Sequence, residues 1–205
     1  MKKKQTGECS KIYIYTNNQC QLGWVERITN YFDYILKTSS PIFNQIIHAF
    51  KIGNRRIELS RTTSAKTHSD FIRCTLIPET TEIFFLDNSS YSQMKQDRIY
   101  YIQPKSYMHH LSTQAIIQRF TSSNLLLSIP NTNRDVLKNY LLGYFIDHDA
   151  YNLGNPHIRD IEIDILIAQK IMYHLRDFFY IANPNTRTKK NKQRVGRFTR
   201  KTYSR

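Results

Sequence analysis

The feature that most constrains this chain is the decapeptide Leu141-Leu142-Gly143-Tyr144-Phe145-Ile146-Asp147-His148-Asp149-Ala150. It is apolar for most of its length and ends in two aspartates two residues apart. Good helix formers precede it, so both carboxylates fall at a helix C-terminus. The macrodipole is already negative there, and carboxylates at that end are tolerable when solvated and better when a cation binds them. The plain alternative is a solvated turn after a core helix.

Bulk properties narrow the setting. A chain of 205 residues, 40% hydrophobic and 13% aromatic, can bury a useful core in one or two domains. It has no apolar run near the roughly 18 residues that a membrane span needs. Its start, Met1 to Glu8, is basic without an apolar stretch behind it, so a secretory signal is not expected. Cys9, Cys20 and Cys74 make neither a disulfide framework nor a paired zinc ribbon, which points to a reducing, intracellular setting. The abundance of Lys, Asn, Ile and Tyr hints at an AT-rich genome, as in an organelle, a phage or an AT-rich bacterium.

The formal net charge is +14, and nine Lys or Arg with no acid lie between Arg187 and Arg205. Such a field attracts polyanions, which makes double-stranded DNA or structured RNA the expected partner. The alternative is a basic tail that aids solubility or touches a membrane surface. No amphipathic apolar spacing accompanies it, which disfavours the membrane version.

Periodicity and breakers predict the elements. Lys11 to Tyr15 reads as a short strand. Trp24 to Lys37 reads as a helix on Trp24, Ile28, Tyr31 and Ile35. A second helix is expected over Pro41 to Ile52, ended by Gly53-Asn54. Strands are expected at Arg56–Arg61, Phe71–Ile77, Glu82–Leu86 and Arg98–Ile102. A helix over Thr113–Phe120 and a turn over Ser128–Asn133 with Pro130 as breaker follow. Thr132 and Asp135 form a weak capping box for a helix from Asn133 into the decapeptide. Gly154-Asn155-Pro156 reads as a hairpin turn, Ile158–Asp164 as an alternating strand, and Ile165–Phe179 as a helix. Two basic strands, Tyr180–Lys189 and Arg194–Tyr203, would close the chain. The order of elements over 41–120 is similar to that from Asn133 onward, a pseudo-repeat of about 95 residues.

Leu142-Gly143-Tyr144-Phe145-Ile146-Asp147-His148-Asp149-Ala150 resembles the signature of LAGLIDADG homing endonucleases. Leu142 matches the first Leu, Ile146 the Ile, and Asp147 and Asp149 the two acids. Ala150 replaces the final Gly, and Tyr144 stands where a Gly is usual. Ile129-Pro130 and the run to Leu141 are similar to the lead-in of second motifs in intein-type members. The resemblance implies an α+β fold of two pseudo-symmetric αββαββ-type lobes, each a curved antiparallel sheet with helices on one face. Residues 1–40 would be an N-terminal extension, 41–124 a degenerate first lobe, and 125–205 the second lobe. It further implies that Asp149 is catalytic and holds a divalent metal, Mg2+, near the scissile phosphate. Asp147 would be an additional metal ligand, and the later strands would lie in the DNA major groove.

The first lobe lacks the partner acid. Gly53 falls at its position, and the earlier candidate Leu22-Gly23-Trp24-Val25-Glu26 has Thr29 there. Because a two-metal site needs carboxylates from both lobes, the chain would be a degenerate nuclease, a nickase-like form, a binding-only protein, or a homodimer supplying Asp149 twice. The nucleic-acid contacts expected are Arg187, Lys189, Lys190, Lys192, Arg194, Arg197, Arg200 and Lys201. Arg can read guanine from a two-stranded ribbon in the major groove, or contact phosphate only. The competing class is a non-catalytic nucleic-acid-binding protein, such as an RNA maturase or a basic organellar or ribosomal protein. His109, His110, His148, His157 and His174 have no structural-zinc spacing. There is no glycine-rich phosphate loop, HExxH or nucleophile elbow.

Overall fold

Asn44 holds together the two ends of a crossover. Its N–H donates to the carbonyl of Ile12 at 2.7 Å, and its Oδ1 accepts from Ile12 N at 3.0 Å. In the computed structural model, which describes residues 2–20, 23–107, 111–124, 126, 133–148, 151–154 and 158–182, this clamp sets β1 (Tyr13–Tyr15) parallel to β2 (Gln45–Ile47), with Ile14 opposite Ile46. A parallel pair needs a crossover, and the helix between them supplies it. A short helix α1 (Lys2–Gln5) precedes β1, and the crossover helix is α2 (Trp24–Ile35).

The molecule divides into two compact units, one of residues 1–104 with 171–205 and the other of residues 105–170. In the first unit, β2 is followed by a tight hairpin, β3 (Lys51–Ile52) against β4 (Arg55–Arg56). Gly53 takes φ 56 at the first position of its two-residue turn, a value that suits Gly in such turns. Helix α3 (His68–Thr75) comes next, then β5 (Ile83–Leu86), a 3₁₀ turn at Ser92–Met94, and β6 (Ile99–Ile102) parallel to β5. The core joins both parallel ladders, with Tyr15, Ile47, Phe71, Ile83, Phe85, Met94 and Ile99 buried in one cluster. Phe178, near the C-terminal end of helix α6 (Ile158–Ala182), lies 5.5 Å from Phe84 and 6.0 Å from Tyr100 between ring centres. The Tyr100 hydroxyl donates to Asp177 Oδ2 at 3.1 Å and is 2.9 Å from His174 Nδ1.

The second unit is helical in its described residues. Helix α4 (Thr113–Thr121) packs against α5 (Arg134–Asp147). Each has an N-cap of the favoured kind: Ser112 accepts from Ala115 N, and Asn133 accepts from Asp135 N and Val136 N. Thr113 and Asn152 exchange two hydrogen bonds, Thr113 N to Asn152 O at 2.8 Å and Asn152 N to Thr113 Oγ1 at 2.7 Å. Gly154 takes φ 59 and passes so close to Ser112 that a Cβ would stand 2.4 Å from its backbone N. Only glycine fits there.

The α+β class holds, with six α-helices and short two-stranded sheets among the described residues. Three expected elements are corrected. Pro41–Ile52 is β2 and the first hairpin strand rather than a helix, because pairing of Gln45–Ile47 with β1 outweighs local helical spacing. Phe71–Ile77 is mostly the end of α3 rather than a strand. Thr67 caps that helix through Asp70 N, and Phe71 and Thr75, four apart, turn inward together. Ile158–Asp164 is the start of α6, which runs 25 residues without Gly or Pro and has Asp160 in its first turn, the favourable end for an acid. The strand expected at Arg56–Arg61 shrinks to Arg55–Arg56. Of Tyr180–Lys189, residues 180–182 end α6; the rest, with Arg194–Tyr203, residues 155–157 and most of the Ser128–Asn133 turn, lies outside the described residues. No helix among the described residues is long and apolar enough to cross a membrane.

Ile47 has no exposed surface and belongs to the cluster under both ladders. Ile47→Ala is expected to cost about 2–5 kcal/mol, read as a lower midpoint in urea unfolding with little change of slope.

Candidate functional site

Strands that run parallel deliver their carboxyl ends to one edge, and in open α/β sheets that edge is where ligands bind. Here β1 runs into Thr16 and Asn17, β2 into His48, and β5 into Asp87. Between these ends lies Arg61, fully buried. Its Nη1 donates to the carbonyls of Thr16 at 3.0 Å and His48 at 2.8 Å. Its Nη2 donates to Asn17 Oδ1 at 2.8 Å and to the carbonyls of Ser64 at 3.0 Å and Ala65 at 3.2 Å. The guanidinium lies 4.8 Å from the centre of the Tyr15 ring. Every acceptor is neutral, and Arg61 Nε has no partner. A buried cation in this state is costly unless negative charge compensates it.

Lys66 follows Ala65 and forms an ion pair with Asp87, both side chains nearly buried at 10% and 8% exposure. The ammonium is 5.7 Å from the Tyr15 ring centre and 5.6 Å from that of Tyr91, within cation–π range. Asp87 Oδ1 also accepts from Ser89 N at 2.8 Å. Tyr91 OH accepts from Asn17 Nδ2 at 3.3 Å, which links the end of β1 to the loop after β5. Burial pushes the Tyr15 hydroxyl above its usual range, and that hydroxyl accepts from Thr67 N at 3.2 Å. The other fully buried charge among the described residues, Asp70, is satisfied structurally. It accepts from Thr62 N and Thr62 Oγ1, both at 2.9 Å, and from Arg73 Nη1 at 2.9 Å. Its work is to hold the loop that presents Arg61 and Lys66.

Of the residues singled out in the sequence, Asp147 is the last residue of α5 and is exposed. The next residue, His148, turns back on the helix: its Nδ1 is 2.8 Å from the carbonyl of Tyr144, and its ring stacks on Tyr144 at 4.1 Å. Asp149 and the basic residues Arg187, Lys189, Lys190, Lys192, Arg194, Arg197, Arg200 and Lys201 lie outside the described residues. Among the described residues no group of three or more His, Cys, Asp or Glu is placed to share a metal ion. The sequence reading missed Arg61, Lys66 and Asp87. The available signal was Asp87 immediately after an expected apolar strand and Thr16-Asn17 immediately after another; what it lacked was the packing of two separate parallel pairs over one core, which brings those ends together.

Fold and charge define an α+β protein with a buried cationic cluster at strand carboxyl ends. Comparison with protein-family models, curated proteins and solved structures returns no match.

Removing one partner of a buried ion pair leaves an uncompensated charge, at a cost of about 3–5 kcal/mol. Lys66→Met alone is expected to fall in that range. The double variant Lys66→Met, Asp87→Asn should recover most of the loss, because the amide needs no cation and keeps the bond to Ser89 N. Chemical denaturation of the single and double variants measures the difference. A double variant no more stable than Lys66→Met would show that the pair is uncoupled.

Proposed function

We propose that the chain binds a phosphate ester, together with Mg2+, at the edge formed by the carboxyl ends of β1 and β5. The observation that carries this reading is the nearly buried Lys66–Asp87 pair beside the fully buried, carboxylate-free Arg61. Without ligand, Lys66 and Asp87 satisfy each other. A phosphate oxygen would take the ammonium, and the field of Arg61 favours its charge. Asp87 would then hold the cation that accompanies the phosphate. Its carboxylate is a hard donor of the kind Mg2+ takes, and Mg2+ commonly binds through one or two carboxylates plus substrate phosphates. The cation would neutralise the phosphate and polarise its oxygens. The overall charge of +14 steers anionic ligands toward the molecule.

A ligand at ten times its Kd adds about 1.4 kcal/mol of stability, which raises Tm by about 3–6 °C in a chain of this size. Inorganic phosphate with Mg2+ is expected to give a rise of that order. Lys66→Met should lose the phosphate response and Asp87→Asn the Mg2+ response. An unchanged melt of the native chain at tens of millimolar phosphate and Mg2+ would end this proposal.

The second reading is the metal-dependent DNA endonuclease of two pseudo-symmetric lobes, with Asp149 and Asp147 as metal ligands. Favouring it, α5 ends on an exposed Asp147 that leads directly to Asp149, within a strongly basic chain. It stands second because it asks for strands behind that helix, and residues 158–182 form α6. On this reading Asp149→Asn abolishes Mg2+-dependent cleavage or nicking of a long DNA site and leaves binding nearly intact. Neutralising Arg194, Arg197 and Arg200 flattens the salt dependence of DNA binding by about one unit of slope per lost contact. Intact DNA under every metal and salt condition tried would remove it.

A further inference from the structure

Glu26 lies in the first turn of α2, the crossover helix behind β1, and His48 is the first residue after β2. Their side chains meet at 3.3 Å, His48 Nε2 to Glu26 Oε1. The imidazole thus lies against one carboxylate oxygen and away from the other. That second oxygen, Oε2, is screened from water and has no hydrogen-bond partner. A carboxylate oxygen removed from water without a donor is an unfavourable arrangement that native proteins rarely keep without a reason. The Glu26 side chain is 44% exposed as a whole, and its terminal torsion is soft. A modest rotation therefore turns Oε2 toward an incoming donor.

The pair sits on the same frame as the Lys66–Asp87 site. Arg61 grips the His48 carbonyl with one nitrogen and the Ala65 carbonyl, next to Lys66, with the other. One guanidinium thus ties the backbone beside Lys66 to that of His48, which puts a cation suited to a phosphate and an acceptor suited to a hydroxyl on one support. Nucleotides carry those two groups together. An acidic side chain near the strand ends of an α/β sheet is a common acceptor for ribose hydroxyls.

We infer that Glu26, oriented by His48, is the subsite for a ribose hydroxyl, so that the phosphate ester bound beside Lys66 and Asp87 is a ribonucleoside monophosphate. This inference rests on the phosphate reading above. The phosphate places the nucleotide, and Glu26 Oε2 accepts a hydrogen bond from the sugar, which discriminates against a sugar that lacks the hydroxyl.

The test is calorimetric titration of the full chain in Mg2+ with three probes: inorganic phosphate, AMP and 2′,3′-dideoxy-AMP. A hydrogen bond to a charged acceptor corresponds to at least about tenfold in affinity, so AMP is expected to bind about tenfold or more tighter than the dideoxy analogue. Glu26→Ala should bring the two to parity and leave inorganic phosphate unchanged. His48→Asn, which removes the imidazole that orients Glu26, should reduce the preference without abolishing it. If phosphate binds but the native chain treats AMP and dideoxy-AMP alike, or if Glu26→Ala keeps the preference, the sugar subsite is wrong and the phosphate site stands. If phosphate itself does not bind, both fall.

Discussion

The rest of the first unit depends on the burial of Arg61. Its guanidinium makes five hydrogen bonds that converge from the end of β1, the residue after β2, and the loop before α3. Taking such a cation out of water costs several kcal/mol. Hydrogen bonds to a charged group return about 1.5–3 kcal/mol each, so a nearly complete set is needed to balance the burial. The planar fork of arginine reaches several carbonyls at once, which a lysine point charge cannot do. The loop from Arg61 to Lys66 therefore has its position set by the donor geometry of one side chain, and Lys66 arrives at Asp87 as a consequence.

The charge pattern around that frame is lopsided. Asp70 is taken by Arg73 and Thr62, and Asp87 by Lys66 and Ser89. Arg61 has no carboxylate among its contacts and is neutralised by dipoles alone. Carbonyl dipoles stabilise a cation but do not cancel its field at a distance, so the strand edge keeps a positive bias that an anion can satisfy. The same sign dominates the chain as a whole, at +14. Local and global electrostatics thus favour the same kind of ligand, although only the local part carries geometric selectivity.

Much of the element order was legible, and the failures have a common cause. The amphipathic spacing of Trp24, Ile28, Tyr31 and Ile35 marked α2, and the β-branched and aromatic runs at Ile83–Leu86 and Ile99–Ile102 marked β5 and β6. Pro41–Ile52 was misread because its decisive interaction, pairing with Tyr13–Tyr15, is made with residues about thirty positions earlier. Phe71–Ile77 was misread because its β-branched and aromatic content outweighed the Thr67 cap. At Ile158–Asp164, strict alternation hid the long uninterrupted helix to which those residues belong. The candidate site was least legible of all. Lys66 and Asp87 are ordinary residues in polar stretches until the two parallel pairs pack over one core, whereas the decapeptide at Leu141–Ala150 was conspicuous through local pattern alone.

The long sequence separations within the site bear on how the molecule comes into being. Thr67 reaches Tyr15 across 52 positions, Arg61 reaches Thr16 across 45, and Asn17 reaches Tyr91 across 74. Contacts of this span form only after the intervening chain has lost the entropy of loop closure, and parallel pairing is slow for the same reason. The helices can form early from local spacing, but the cationic edge exists only once the β1–β2 and β5–β6 pairs have packed over their shared core. During synthesis the Lys66–Asp87 pair cannot form until Asp87 has left the ribosome, and the link from Asn17 waits for Tyr91. A nascent or partly unfolded chain would carry the full positive charge without the selective site.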